Sequence, residues 1–266
     1  MTGIYDCFGY GFGYDVSFSE RYKIIKDCGF DCVMLWWSDK FGRGEGYEKD
    51  ADLARYAGLQ IENMHAPVHE QNNLSLDNEQ GEHILHDYLK CIDDCHKHHI
   101  PTIVIHLPDD TYPINDIGNA RLDRIIDRAG SLGIHIAFEN LRNIRNLASV
   151  LNRVSFTHVG YCYDSCHHMN YASDMDLLGL YGNRLKAIHL HDNGGSHNQH
   201  QLPFDGGIDW SLIMGNLKRT GYGGAIALEP MNWDYTHLAI RDFLRLAYEK
   251  AKRLEQMLLR TKQLQV

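Results

Sequence analysis

The chain has 266 residues, 44% of them apolar and 23% charged, which excludes a disordered segment and a disulfide-stapled miniprotein. Its 26 Lys and Arg against 35 Asp and Glu give a net charge of −9, which argues against a broadly basic nucleic-acid surface. A chain of this length buries a full core, either as one large α/β barrel or as two smaller domains.

Read in chain order, one unit recurs: a short β-rich run, a polar loop, then an amphipathic helix. The runs predicted as strands are Gly3–Phe8, Asp31–Trp36, Gln60–Met64, Thr102–His106, Ile134–Glu139, His158–Asp164, Leu185–His191 and Ala225–Glu229. Helical periodicity falls near 19–28, 48–57, 79–98, 116–131, 144–152, 174–181, 209–219 and 236–262. Gly29, Gly58, Gly133 and Gly221 stand where helices close in a left-handed cap before the next strand. Eight such units in about 250 residues match the count and size of a TIM barrel. The expected fold class is therefore α/β: a (β/α)8 TIM barrel, a single domain over residues 1–266 with an extended C-terminal helix from about 236. A doubly wound sheet fits less well, because Gly9-Tyr10-Gly11-Phe12-Gly13 has the wrong spacing for a phosphate-binding turn.

The chain opens with no basic region followed by an apolar stretch, and no apolar run approaches the ~18 residues that span a bilayer. The seven cysteines include no CxxC unit and are expected to be reduced. Cys91, Cys95 and His96 have helical spacing without a matching second pair, which argues against zinc there. The expectation is a cytoplasmic enzyme that binds no membrane.

In a barrel, the active site collects at the C-terminal ends of the strands. Six consecutive predicted strands end on a residue able to ligate a metal: His65, His106, Glu139, Asp164, His191 and Glu229. Two positions earlier stand Asn63, Val104, Ala137, Cys162, His189 and Ala227, mostly small or polar. Between them lie Met64, Ile105, Phe138, Tyr163, Leu190 and Leu228, large and suited to the helix-facing side. One register thus points all six candidates at the barrel axis. The core metal set is Glu139, Asp164, His191 and Glu229, a mixture suiting Mn²⁺, Mg²⁺, Co²⁺ or Zn²⁺. His65, His106, His167 and His200 are candidates either for further ions or for substrate hydroxyls. Of the 17 histidines, these and His191 define the mouth, with His189 just beneath on the same strand face. Trp36, Trp37, Tyr10, Phe12 and Trp233 are candidates for an aromatic wall, and Gly42–Gly46 for a lid. The long final helix offers a surface for a second copy of the chain.

The motifs Met64-His-Ala-Pro67, Phe138-Glu-Asn140, Tyr163-Asp-Ser-Cys-His167, Ile188-His-Leu-His-Asp192 and Leu228-Glu-Pro230 resemble the xylose isomerase-like TIM-barrel superfamily. That group holds sugar isomerases, ketose 3-epimerases and endonuclease IV. The epimerase branch implies Glu139, Asp164, His191 and Glu229 as metal ligands, His167 at a substrate oxygen, and Glu139 and Glu229 as the acid/base pair. Arg145 and Asn193-Gly194 depart from that branch, so the substrate contacts differ. The endonuclease IV branch implies a three-zinc set of His65, His106, Glu139, Asp164, His167, His191, His200 and Glu229. Asn198 breaks it where a carboxylate is needed, and Val68 replaces a tyrosine.

The loops near the strand ends offer few basic residues: Lys40, Arg43, Arg142 and Arg145. The resemblance therefore implies first a divalent-metal-dependent isomerase or epimerase of a small sugar, sugar acid or polyol, with Trp36, His65 and His106 near the substrate. A zinc phosphodiesterase acting on abasic DNA, and a metal-dependent dehydratase, are the alternatives.

Overall fold

Each strand is a short run whose C-terminal half is buried, and from the second onward each follows a helical segment. The computed structural model describes residues 1–6, 14, 16–38, 46–195 and 199–260. Cys7, Tyr10, Phe12, Lys40, Arg43, most of the Gly42–Gly46 stretch and Asn198 lie outside these.

The strands are β1 (Thr2–Tyr5), β2 (Cys32–Trp36), β3 (Gln60–His65), β4 (Thr102–Ile105), β5 (His135–Glu139), β6 (Val159–Asp164), β7 (Leu185–His189) and β8 (Ile226–Leu228). The helices are α1 (Phe18–Asp27), α2 (Asp50–Tyr56), α3 (Glu79–Lys97), α4 (Asp116–Leu132), α5 (Ile144–Arg153), α6 (Ser165–Tyr171), α7 (Leu177–Tyr181), α8 (Trp210–Thr220) and α9 (Ile240–Arg260). All strand pairs are parallel, in the order β7-β6-β5-β4-β3-β2-β1-β8. The seam between β7 and β8 closes just past the strands, where Leu190 N donates to Ala227 O at 2.9 Å and Glu229 N donates to Leu190 O at 3.1 Å. The result is a (β/α)8 TIM barrel.

The helix boundaries follow local chemistry. Asn78 and Asn115 cap α3 and α4 by accepting from backbone N–H groups of the first turn. Gly133 and Gly221 close α4 and α8 at φ 69° and 73°, a conformation in which a Cβ would be strained. Two expectations are corrected. α6 occupies Ser165–Tyr171, where no helix is predicted, because Asp164 caps it through the His167 N–H at 2.7 Å. The last helix begins at Ile240 after a turn at Trp233–Tyr235, not near 236. It buries Phe243, Leu244, Ala247, Ala251 and Leu254 against β1, β8 and α8, so most of its length serves the barrel itself.

The alternation within the strands places two separate apolar layers. Val104, Ala137, Cys162 and Ala187 form a small cluster inside the barrel. Met64, Ile105, Phe138, Tyr163, Leu190 and Leu228 join the large core between sheet and helices. The inward residues are thus small at mid-barrel, and the next inward position on each strand carries the polar groups of the mouth.

Candidate metal centre

β3, β5, β6 and β7 end on His65, Glu139, Asp164 and His189, while His106, Glu229 and His191 stand one or two residues beyond β4, β8 and β7. α6 contributes His167, and the β7–α8 loop contributes His200. Every predicted ligand is therefore brought to one end of the barrel. The level of each is set by strand pairing. Cys162 pairs with Ala187 and Asp164 with His189, after a register shift at Tyr161/Cys162. The inward imidazole level with Asp164 is consequently His189, and His191 stands one layer higher.

The mutual grouping of ligand atoms differs from the expected core set in one residue, with His189 in place of His191. Ligand atoms of Glu139, Asp164, His189 and Glu229 all lie within 4.8 Å of one another, and all four residues are buried. His191 groups instead with His200 and Glu229, and His65 with His106 and Glu139. The two glutamates link the groups. Glu139 Oε2 lies 3.3 Å from His65 Nε2, 3.2 Å from His106 Nε2 and 3.2 Å from His189 Nδ1. Glu229 Oε2 lies 3.4 Å from His189 Nδ1 and 3.5 Å from His191 Nε2. His191 Nε2 also reaches Asp164 Oδ2 at 2.7 Å.

Backbone carbonyls fix three of the imidazoles. Nδ1 of His65, His167 and His200 faces the carbonyl of Ala66, Asn140 and Glu229 at 2.6, 3.0 and 3.0 Å. A carbonyl only accepts, so each Nδ1 carries a proton, and the neutral rings of His65 and His200 turn a bare Nε2 elsewhere. A ring nitrogen that donates to a carbonyl is the usual support of a metal-ligating histidine.

Three buried carboxylates in one barrel mouth need positive charge. Burial pushes Glu139 up, but His189, His106 and His167 outweigh it and hold the carboxyl well below its ordinary range. Burial likewise opposes ionisation of Asp164, and His167 and His191 reverse it, leaving the group low. Glu229 goes the other way: burial pushes it up to about 7, against the pull of His189 and His191. Burial would lower His167, yet Asp164 and Glu139 raise it to about 9. His65 and His200 are driven down by burial to about 4 and about 3.

The donor set fits a divalent cation. Neutral His65 directs its Nε2 lone pair at Glu139 Oε2, two acceptors in contact that a cation reconciles. Both ring nitrogens of His189 and Nδ1 of His191 are buried without a hydrogen bond. Without an ion, protons on His167 and Glu229 offset the charge, so metal binding must release them. Glu229 titrates at about 7 and His167 at about 9, hence proton competition weakens as pH rises. Saturating zinc should therefore raise the thermal midpoint more at pH 8 than at pH 6. Equal shifts in calorimetry at the two pH values would count against this site.

The supporting residues were not evident from residue type. Asn140 ties β5 to β6: its Nδ2 donates to Asp164 O at 2.9 Å, and its Oδ1 accepts from Asp164 N and Tyr161 OH, each at 2.8 Å. Ser165 Oγ donates to His191 O at 2.7 Å and accepts from His191 N at 3.0 Å. Trp36 is buried, with its ring 5.2 Å from that of His65, and Trp233 meets His200 edge-on at 5.5 Å. Trp37 turns away from the mouth and donates to Asp94 Oδ2 at 2.8 Å, so it packs a helix. Arg142 pairs with Asp110 and lies over the Tyr171 ring; Arg145 is exposed.

Among the described residues, then, the molecule is a TIM barrel with acidic and imidazole groups converging at its C-terminal mouth. The chain belongs to the xylose isomerase-like TIM-barrel family, whose model matches residues 22–248. It is 32% identical over 174 residues to an uncharacterized protein of Sinorhizobium fredii, covering 59% of this chain and 55% of that one. The chain spans about half the length of the curated relatives it matches. By structure it resembles D-psicose 3-epimerase of Clostridium cellulolyticum H10 crystallised with D-tagatose, with a TM-score of 0.75, 17% identity, and coverage of 97% of this chain and 99% of that one. It also resembles the IOLI protein with a bound zinc atom, with a TM-score of 0.77, 18% identity, and coverage of 96% and 98%. No helix of the described residues is long and apolar enough to cross a membrane.

Proposed function

We propose that the chain is a divalent-metal-dependent isomerase or epimerase of a small sugar-like substrate, acting by proton transfer at a carbon beside a carbonyl. The observation that carries this reading is the buried group Glu139, Asp164, His189 and Glu229, set at the mouth of a barrel shaped like D-psicose 3-epimerase. These four residues would hold the ion, with zinc, manganese, magnesium and cobalt all compatible with the donors. When bound, the ion polarises a substrate carbonyl and its neighbouring hydroxyl, favouring the charge that develops as the proton leaves.

The rest is work for the chain. Glu139 and Glu229 reach the centre from β5 and β8, on either side of Asp164 and His189. Their environments push their proton affinities apart, the condition under which one carboxylate removes a proton while another group returns it. His167, held through Nδ1 by Asn140, directs Nε2 to a substrate oxygen. Trp36 behind His65 and Trp233 beside His200 limit water at the reacting carbon. The described cysteines are free and buried, which suits a reducing compartment, and the proposed setting is the cytoplasm.

One observation favours a second reading, an endonuclease IV-like phosphodiesterase: His65, His106 and Glu139 form a further group able to hold a metal. The two readings separate in one experiment. Incubation of the metal-loaded protein with ketohexoses and ketopentoses in heavy water should place solvent deuterium beside the carbonyl, detected by mass spectrometry. Nicking of abasic duplex DNA, with two or three tightly held zinc ions and no deuterium entry, would replace the isomerase reading with the nuclease.

A further inference from the structure

His189 ends β7 and His191 stands two residues beyond it on the same face, yet only His189 lies in the four-residue group. His191 is fully buried, and the nitrogen it turns to the carboxylates is Nε2, 2.7 Å from Asp164 Oδ2 and 3.5 Å from Glu229 Oε2. Two donor atoms on one divalent ion at ordinary bond lengths stand about 3 Å or more apart. His189 Nδ1 keeps that spacing, at 3.2 Å from Glu139 Oε2 and 3.4 Å from Glu229 Oε2. The 2.7 Å contact of His191 is shorter, and falls where an N–H donates to a carboxylate. The carboxylate accepts, so Nε2 carries the proton and has no lone pair for an ion. The His191 ring lies against that of His200, with centroids 4.1 Å apart and planes within 9°. His200 is itself held through Nδ1 by the Glu229 carbonyl at 3.0 Å. In-plane bonds from two parallel rings run side by side, so the pair does not converge on one point.

We propose that His191 is a positioning residue of the metal centre, whose Nε2–H holds the Asp164 carboxylate and does not ligate the ion. Asp164 Oδ1 accepts from His167 N at 2.7 Å, and Oδ2 accepts from His191 Nε2. Each oxygen thus has one hydrogen bond and keeps a lone pair for a cation. The His191 backbone is tied to the same segment, because Ser165, the residue after Asp164, bonds both its N–H and its carbonyl. Cys166 Sγ donates to that carbonyl as well, at 3.3 Å. Ring and backbone together fix His191 against Asp164, and His200 fixes the plane in which its N–H points. A hydrogen bond of this kind orients a ligating carboxylate, and its loss commonly weakens metal binding about 10–100-fold. The inference rests on the metal dependence of the proposed function but not on its reaction.

The test measures zinc affinity by chelator competition, and the absorption spectrum of the cobalt-loaded protein, on the full chain. The variants are His191→Ala, His191→Gln and His189→Ala, each compared with wild type. His191→Ala should bind zinc about 10–100-fold more weakly and keep the wild-type cobalt band shape, because no ligand is lost. Gln carries an amide N–H near the place of Nε2, so His191→Gln should recover most of the affinity. His189→Ala should weaken zinc further than either and change the cobalt spectrum. If the buried His191→Ala variant does not fold, His191→Gln still separates a ligand from a positioning residue. A changed cobalt spectrum in His191→Gln, with a loss of affinity equal to that of His189→Ala, would make His191 a ligand and overturn the proposal. Wild-type affinity in His191→Ala would overturn it too, leaving His191 a packing residue and the metal centre standing. A wild type that binds neither zinc nor cobalt would remove the metal dependence of the proposed function together with this role.

Discussion

Glu229→Gln should lower deuterium exchange into the substrate by about 10²–10⁴-fold, the contribution of a positioned acid or base, with further loss from weakened metal binding. Gln keeps the volume and one oxygen, so the barrel should fold as in wild type, checked by circular dichroism. The effect is large because Glu229 stands in both the four-residue group and the group with His191 and His200. Its carboxyl is also the one that burial raises to about 7, closest to the pH at which proton transfer is shared evenly between acid and base. Wild-type exchange rates in Glu229→Gln would exclude it from the chemistry. Because both branches of the family reading use this residue, the variant tests the site and not the reaction.

The second large effect concerns a residue with no chemistry of its own. The buried Asp192 carboxylate accepts four hydrogen bonds: from Asn193 N at 2.8 Å and Ile208 N at 3.1 Å on Oδ1, and from Phe204 N at 2.8 Å and Trp210 Nε1 at 2.7 Å on Oδ2. It thereby folds the β7–α8 loop back onto the barrel and holds the segment that carries His200. Hydrogen bonds to a charged acceptor contribute about 1.5–3 kcal/mol each, and deletions within one cluster do not add. Asp192→Ala should therefore cost about 4 kcal/mol and lower the thermal midpoint by about 10 °C. A midpoint within a degree or two of wild type would show that the loop holds without this anchor.

Asp192 also illustrates what residue type conveys and what it does not. In His189-Leu-His-Asp192 a carboxylate stands beside two histidines at a strand end, yet its oxygens are taken by the loop that follows. Asn140 is similar: its place in Phe138-Glu-Asn140 is visible in the chain, but its bonds to both ends of Asp164 depend on β6 lying beside β5. The helix at Ser165–Tyr171 was missed for a related reason. Asp164 reads as a ligand at the end of a strand, and nothing local reveals that the same side chain caps a helix.

The sequence by itself determined the barrel, the end at which the site lies, and the face each candidate presents. Those follow from local periodicity: side chains alternate with a period of two, strand-end residues are polar, and glycines close the helices. What only the tertiary structure decided is height along the barrel axis. His189 and His191 share a face and are equivalent to any argument from alternation. The pairing of β6 with β7 separates them, through a register shift that sets Asp164 beside His189. That shift joins residues more than twenty positions apart and is imposed by closing eight twisted strands into a ring, so no pattern within either strand announces it.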